Sequence, residues 1–102
     1  MSYIEDVVEE RLRLGIKARG GHCYKFTSGI RGVPDRIVII NGHTIFVELK
    51  APGKKPPPLQ RYRINEMREQ GADVRVIDTI EGVDEFIAEV TQPNPLYQPN
   101  KE

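Results

Sequence analysis

The sequence predicts a single α/β domain whose elements follow the order α-β-β-β-α-β-α around a central mixed sheet. Apolar residues recur at helical spacing near the N-terminus, and four later runs have the alternation or the β-branched and aromatic content of strands. Clusters of Gly and Pro separate these segments. With 102 residues, the chain is long enough for one compact core and too short for two.

The boundaries of these elements follow from local residue chemistry. A first helix is expected to stop at Gly20-Gly21, and Asn41-Gly42 is typical of a tight turn between two strands. Four prolines prevent residues 51–58 from forming a helix or strand. The helices are expected at about 4–19, 59–70 and 80–90, and the strands at 22–27, 35–40, 44–50 and 73–78. We expect a domain at 1–90 and a Pro-rich, extended or disordered tail at 91–102.

Composition narrows the classes of function. The single Cys excludes an internal disulfide and a thiol pair for zinc. No run is long and apolar enough for a membrane span, and the N-terminus lacks a signal-peptide pattern, so we expect a cytoplasmic protein. Net charge is zero, but residues 11–63 carry twelve Lys or Arg against two acids, a balance of +10. A basic block of this kind suits a phosphate backbone, although these cations could also be scattered over solvated surface.

Turn chemistry brings two carboxylates together. A two-residue Asn41-Gly42 turn pairs residues whose numbers sum to 83, which places Asp35 opposite Glu48 on the neighbouring strand. Lys50 projects on the same side as Glu48 because side chains alternate along a strand. Two acids and an ammonium suggest a site for a hard cation such as Mg²⁺, Mn²⁺ or Ca²⁺. The alternative is a Glu48–Lys50 surface salt bridge, with Asp35 capping a loop.

Two short motifs carry a resemblance to a known family. GVPD at 32–35 and ELK at 48–50 together form the PD-(D/E)XK nuclease signature. The run FTSGIRGVPDRIVII, then FVELKAPGKKPPPLQ and finally VIDTIEGVDEF, resembles the stand-alone VRR-NUC branch, which is similar to Holliday-junction resolvases. This similarity extends from about Tyr3 to Ile87. It implies a restriction-endonuclease-like PD-(D/E)XK core, and a metal-dependent endonuclease in a bacterial or phage-infected cell.

The resemblance also implies roles for single residues. Asp35 and Glu48 would ligate Mg²⁺ or Mn²⁺ together with the backbone carbonyl of Leu49, and Lys50 would be the catalytic lysine. Gln60 matches the family's glutamine at the start of the second helix, where it could contact the scissile phosphate or orient Lys50. The alternative for Gln60 is a solvent-facing position in the first helical turn.

The family places a further metal-ligating acid on the first helix. Glu9 is favoured because it lies eleven residues before Gly20, a spacing similar to that in archaeal Holliday-junction resolvases. Glu5, one turn earlier on nearly the same face, is the alternative. Either acid could instead interact only with the helix macrodipole.

Several polar residues flank the predicted site and are candidates for phosphate contacts. They are Lys25, Ser28, Arg31, Lys54, Lys55 and Arg61. Nothing resembles a recognition helix, a zinc finger or an aromatic RNA platform, so we expect contacts that do not depend on base sequence. Each cation could equally be solvated.

The small size of the chain leaves little room for a damage-reading module. We therefore expect a homodimer that cuts four-way junctions in branched DNA, without an organic cofactor or a membrane partner. Leu96-Tyr97 and the apolar stripe of the last helix are candidates for the dimer interface, although such a helix stripe is more often core; the stripe is Val83, Phe86, Ile87 and Val90. Two alternatives stay open, a flap- or end-directed nuclease of the same fold and a non-catalytic DNA-binding module.

Overall fold

A four-stranded sheet with helices on both faces forms the centre of the structure, a computed structural model that describes residues 3–98. The helices are α1 Tyr3–Ala18, α2 Pro58–Glu69 and α3 Ile80–Thr91, and the strands are β1 His22–Lys25, β2 Arg36–Ile40, β3 His43–Leu49 and β4 Asp73–Ile77. The strands lie in the order β1-β2-β3-β4. Neighbours are antiparallel except β3 and β4, which are parallel. The predicted α/β class, element order and mixed sheet are confirmed.

All element boundaries but the end of β1 lie within one residue of the prediction, and two of the differences have a physical cause. Helix α2 begins at Pro58, inside the segment that we expected to exclude helix. Proline is accepted there because its fixed φ suits the first helical position, where a backbone N–H would have no intrahelical partner. Strand β1 ends at Lys25, two residues early, and the backbone N–H of Phe26 donates to the carbonyl of Asp35 at 2.7 Å.

One face of the sheet is buried beneath α1 and α3. Alternate strand residues on this face pack with the apolar stripes of the two helices. This cluster includes Val8, Leu12, Ile16, Val38, Ile40, Ile45, Val47, Leu49, Ile77, Val83, Phe86, Ile87 and Val90. The suggestion that Val83, Phe86, Ile87 and Val90 form a dimer interface was wrong, because all four are in the core, at most 5% exposed. These side chains fill the space between α3 and the sheet of the same chain, so they are not available to a partner.

Helix α2 lies on the opposite face. Ile64 and Val74 are buried there, and α2 contacts β4. Asp35, Glu48 and Lys50 belong to this second face because their chain neighbours alternate with them and point into the core.

The β2–β3 hairpin has the predicted turn and register. Asn41 and Gly42 have φ values of 50° and 81°, as a primed two-residue turn requires. Ile40 pairs with His43, and each pair back to Arg36 and Val47 keeps the same sum of 83. The ladder therefore points to Asp35 and Glu48 as the next opposed pair.

The chain after α3 lies along this hairpin turn. Asn94 donates from its backbone N–H to the Asn41 carbonyl at 2.9 Å and from its side-chain amide to the Gly42 carbonyl at 3.0 Å. The His43 Nε2 atom lies 2.8 Å from the Gln92 carbonyl oxygen. Residues 92–98 are neither helix nor strand, and 99–102 of the predicted tail lie outside the described residues. Within 3–98, no helix combines the length and apolar character needed to cross a bilayer.

Candidate active site

The hairpin places one buried and one exposed carboxylate side by side. Asp35 lies directly before β2 and is exposed, whereas Glu48 in β3 is only 7% exposed. Burial raises the pKa of Glu48, and the nearby Asp35 charge raises it further, while the hydrogen bond from Lys50 lowers it. Burial of a carboxylate beside a like charge is unfavourable unless positive charge offsets it.

Lys50 supplies part of that positive charge. Its Nζ atom lies 3.0 Å from the Glu48 Oε2 atom, and the lysine side chain is about 20% exposed. The Lys50 backbone N–H donates to the Ile77 carbonyl at 2.9 Å, which continues the β3–β4 ladder beyond β3. The lysine is therefore fixed by the sheet at its backbone and by Glu48 at its ammonium group.

Two buried side-chain oxygen atoms in the described part of the chain lack a hydrogen-bond partner. They are Glu48 Oε1 and Gln60 Oε1, and Gln60 itself is 8% exposed in the first turn of α2. A buried polar atom without a partner is costly, and such atoms in folded proteins often mark a site for an ion or ligand. The solvent-facing alternative for Gln60 is therefore wrong.

The donor set fits a hard divalent cation. Asp35 and Glu48 supply two opposed carboxylates on this face of the hairpin, and Glu48 has one oxygen free of hydrogen bonds. Mg²⁺ is often held by one or two carboxylates, with waters and substrate phosphates as the remaining ligands. The structure brings no third acid to the pair, since residues 3–98 contain no group of three or more His, Cys, Asp or Glu side chains placed to hold a metal.

Glu9 is instead engaged by an arginine of the core face. Its carboxylate forms an ion pair with Arg36, which is 9% exposed at the start of β2. Arg36 alternates with Asp35, so this pair lies on the side of the sheet that α1 covers. Glu5 is half-buried one turn earlier on α1. The metal-binding role of Glu9 or Glu5 stays a prediction.

The predicted phosphate-contacting residues lie on three segments. Lys25 ends β1, Lys54 and Lys55 lie in the loop after β3, and Arg61 lies on α2, all of them exposed. In the loop after β1, Arg31 is exposed, while Ser28 is half-buried. The Ser28 hydroxyl accepts the Ile30 backbone N–H at 2.9 Å, so its oxygen helps to shape the loop. Their contacts with phosphate stay predictions.

Two further residues shape the site: Asp78, which sequence reasoning missed, and Arg63, which it grouped only with the cations beside the site. Asp78 accepts the Gly53 backbone N–H at 3.2 Å and so holds the loop that carries the two lysines. Arg63 donates from Nε to the Arg31 carbonyl at 3.2 Å, which ties α2 to the loop before Asp35. Asp78 is the last residue of the predicted strand at 73–78, and a carboxylate at a strand end was a usable signal for it, but nothing local in the sequence indicates the partner of Arg63.

Cys23 has no role in this chemistry. It is half-buried against the core cluster, and burial raises the pKa of its thiol to about 11. At neutral pH the thiol is therefore protonated and a poor nucleophile or ligand.

Comparison with known proteins places this geometry among nucleases. No family model matches the chain. A protein of Acyrthosiphon pisum secondary endosymbiont phage 1, named "Putative nuclease p44", is 47% identical over 77 residues, covering 74% of this chain and 83% of the relative. A solved structure described as "VRR_NUC domain" superposes with a TM-score of 0.78 at 31% identity, over 85% of this chain and 97% of the other. Another, described as "VRR_NUC domain protein", shares the fold with a TM-score of 0.67 at 20% identity, over 96% and 98% of the two chains.

Proposed function

Because the chain belongs to the VRR-NUC family of nucleases, we propose that it is a cytoplasmic, Mg²⁺- or Mn²⁺-dependent endonuclease that hydrolyses phosphodiester bonds in branched DNA. The main support is the buried Glu48, which lies beside Asp35 with one oxygen unpartnered and the other bonded to Lys50. A buried carboxylate with an unpartnered oxygen destabilises the folded protein, and a bound cation with its phosphate would offset that cost.

Each residue of the site has a chemical role in this proposal. Asp35 and Glu48, with the backbone carbonyl of Leu49, would hold the metal ion, which supplies Lewis acidity towards a phosphodiester and a water. Lys50 donates hydrogen bonds to the phosphate oxygens and offsets the negative charge that develops there. The Gln60 amide contacts the scissile phosphate or orients Lys50.

Selectivity for branched DNA is proposed to come from two copies of the chain. A single domain of 102 residues presents one catalytic site, whereas a four-way junction must be nicked on two strands. A symmetric homodimer presents two equal sites at a fixed separation. The cations that flank the site, Lys25, Arg31, Lys54, Lys55 and Arg61, would bind the DNA arms through their phosphates.

The test compares cleavage of labelled four-way junction, flap and plain duplex DNA with Mg²⁺ or Mn²⁺. We expect paired symmetric nicks in the junction, and a loss of about 100-fold or more in rate for Lys50→Ala and Asp35→Asn, since each removes charge that the transition state requires. Lys17→Ala is the matched control, because Lys17 is exposed on the last turn of α1. We expect it to cut like the parent.

Other outcomes would change the proposal in defined ways. Cutting of flaps alone, sensitive to Lys50→Ala, would retain the active site and replace the junction substrate. Tight DNA binding without metal-dependent cleavage of any substrate would leave a DNA-binding module in place of the enzyme.

A further inference from the structure

Three large apolar side chains are exposed beside the candidate active site. They are Ile30 in the loop between β1 and β2, and Leu59 and Tyr62 on α2, exposed by 56%, 44% and 60%. Leu59 and Tyr62 are three residues apart and so lie on neighbouring parts of one helix face. The Ile30 loop contacts that face, because a Cβ built on Gly32 would lie 3.2 Å from the Leu59 Cγ atom. We call these three side chains the apolar ridge.

The ridge is held in place relative to the candidate site. The loop that carries Ile30 is closed by the Phe26–Asp35 backbone hydrogen bond of 2.7 Å, so its base is Asp35 itself. Arg63 ties the loop to α2 through the Arg31 carbonyl, at 3.2 Å. Leu59 precedes the buried Gln60, so both sides of the ridge are adjacent to residues of the site.

Arginines neighbour the ridge residues and indicate what the ridge contacts. In the sequence Arg31 follows Ile30 and Arg61 precedes Tyr62, and the Arg63 guanidinium carbon lies 5.4 Å from the Tyr62 ring centroid. Phosphates of DNA would meet these guanidinium groups. An intact duplex presents stacked base edges and phosphates, so the apolar side chains could contact a base face only where the stack is open.

We propose that the apolar ridge is a wedge that packs against an unstacked base at a DNA branch point and so selects branched DNA over plain duplex. This inference rests on the proposed nuclease function and adds the residues that recognise the substrate. The arginines bind the backbone on either side, and the ridge replaces the stacking that the base loses at the branch. In a plain duplex the protein would first have to unstack a base pair, which costs free energy, whereas at a branch point the stack is already interrupted.

The test measures base unstacking without cleavage. A four-way junction with 2-aminopurine beside the branch point is bound by the Lys50→Ala protein in Ca²⁺, because 2-aminopurine fluoresces more strongly when it is unstacked. We expect this protein to raise the fluorescence. Adding Ile30→Ser or Tyr62→Ser should remove the rise and weaken junction binding about tenfold, the size of one lost base contact, with duplex binding unchanged.

Two matched variants control for general effects on the protein. Ile30→Leu keeps an apolar tip and should keep the fluorescence rise and the affinity. Leu14→Ser removes a comparably exposed leucine, 49% accessible on α1, and should also behave like the parent. Circular dichroism and sedimentation velocity confirm folding and oligomeric state for each protein.

The possible results separate this inference from the proposed function. Fluorescence that persists in both Ser variants would overturn the wedge, as would a Ser variant that becomes monomeric while its parent is dimeric, since the ridge would then be a protein interface. Cleavage by the wild-type chain without any unstacking by the Lys50→Ala protein would overturn the wedge alone. Unstacking by the Lys50→Ala protein, with no cleavage by the wild-type chain, would support the wedge and reject the proposed nuclease activity.

Discussion

At the scale of single residues, the protein buries two acidic groups in opposite ways. Glu9 is neutralised by Arg36, itself 9% exposed, through a direct ion pair on the core face. Glu48 on the other face is only partly compensated, because Lys50 occupies one oxygen and the other has no hydrogen-bond partner. A fully paired charge is a structural device, whereas an incompletely paired one is typical of functional sites.

The ion pair predicts a large stability effect at Glu9. Glu9→Gln leaves the Arg36 guanidinium buried without its counter-charge, so we expect a loss of about 3 kcal/mol in the free energy of unfolding. Urea unfolding followed by circular dichroism measures this, since the chain has no tryptophan. Glu10→Gln is the neighbouring control, because Glu10 is exposed and pairs with exposed Arg13, and we expect little change. Equal stability of the Glu9 variant and the parent would contradict a structural role for the pair.

At the scale of elements, the β2–β3 hairpin sets both the site and the C-terminal packing. Its register puts Asp35 opposite Glu48, and its turn receives the chain after α3. The Asn41 side-chain amide donates to the carbonyls of Val90 and Thr91, both at 3.0 Å, and so satisfies acceptors at the end of that helix. One hairpin therefore positions the candidate active site at one end of its strands and the end of the last helix at the other.

This arrangement predicts the effect of a methyl group in the turn. Gly42 has φ +81°, and a Cβ there would lie 2.5 Å from the Tyr97 Cβ atom. Backbone strain in Gly42→Ala should therefore lower the free energy of unfolding by about 1–2 kcal/mol, and displacement of Tyr97 should lower it further.

Gly20→Ala isolates the backbone part of this effect. Gly20 has the same φ of +81°, but a Cβ there meets no atom within 4 Å. The urea midpoint should be highest for the parent, lower for Gly20→Ala and lowest for Gly42→Ala. When Tyr97→Ala is added to both glycine variants, the difference between their midpoints should become smaller. If Gly20→Ala and Gly42→Ala unfolded at the same midpoint, the Tyr97 contact would have no energetic role.

At the scale of the whole molecule, ion pairs join α3 to the first helix and to the last strand. Arg11 on α1 binds Asp84 on α3 with its Nε atom 2.7 Å from Oδ1, and Arg75 on β4 binds Glu89 on α3 with its Nη2 atom 2.6 Å from Oε2. The hydrogen bonds from these arginines lower the pKa of Asp84 and of Glu89 below their usual values of 3.8 and 4.5. Each exposed pair contributes little to the free energy of unfolding, and each adds one link between α3 and another element.

These shifts fix the sign of the pH dependence. A lowered pKa in the folded state means that the unfolded chain binds the proton more tightly, so this stability is present above pH 4.5 and is lost as the pH falls through the folded values. The raised pKa of Glu48 has the opposite effect on stability: its ionisation at neutral pH disfavours the folded state, and this cost is relieved as the pH falls.

The measurement is the urea midpoint at pH 7, 5 and about 3.5. We expect it to fall at the lowest pH, and to fall less in Glu89→Gln, which removes one of the titrating groups. Added NaCl should also reduce the fall, because salt screens exposed pairs. An identical pH profile for Glu89→Gln and the parent would show that this ion pair does not contribute.

The sequence by itself determined the α/β class, the order of elements and the hairpin that opposes Asp35 to Glu48 with Lys50 on the same face. These features are local, because a two-residue turn fixes the strand register and strand alternation fixes the side-chain faces. Only the tertiary structure decided that Glu9 pairs with Arg36, that residues 92–98 lie along the hairpin turn and that the loop carrying Ile30 lies against α2 at Leu59. Each of these depends on which surfaces of distant segments meet in the packed chain, and the turn chemistry and periodicity of one segment do not specify its partner, because hydrophobic packing between elements is non-directional.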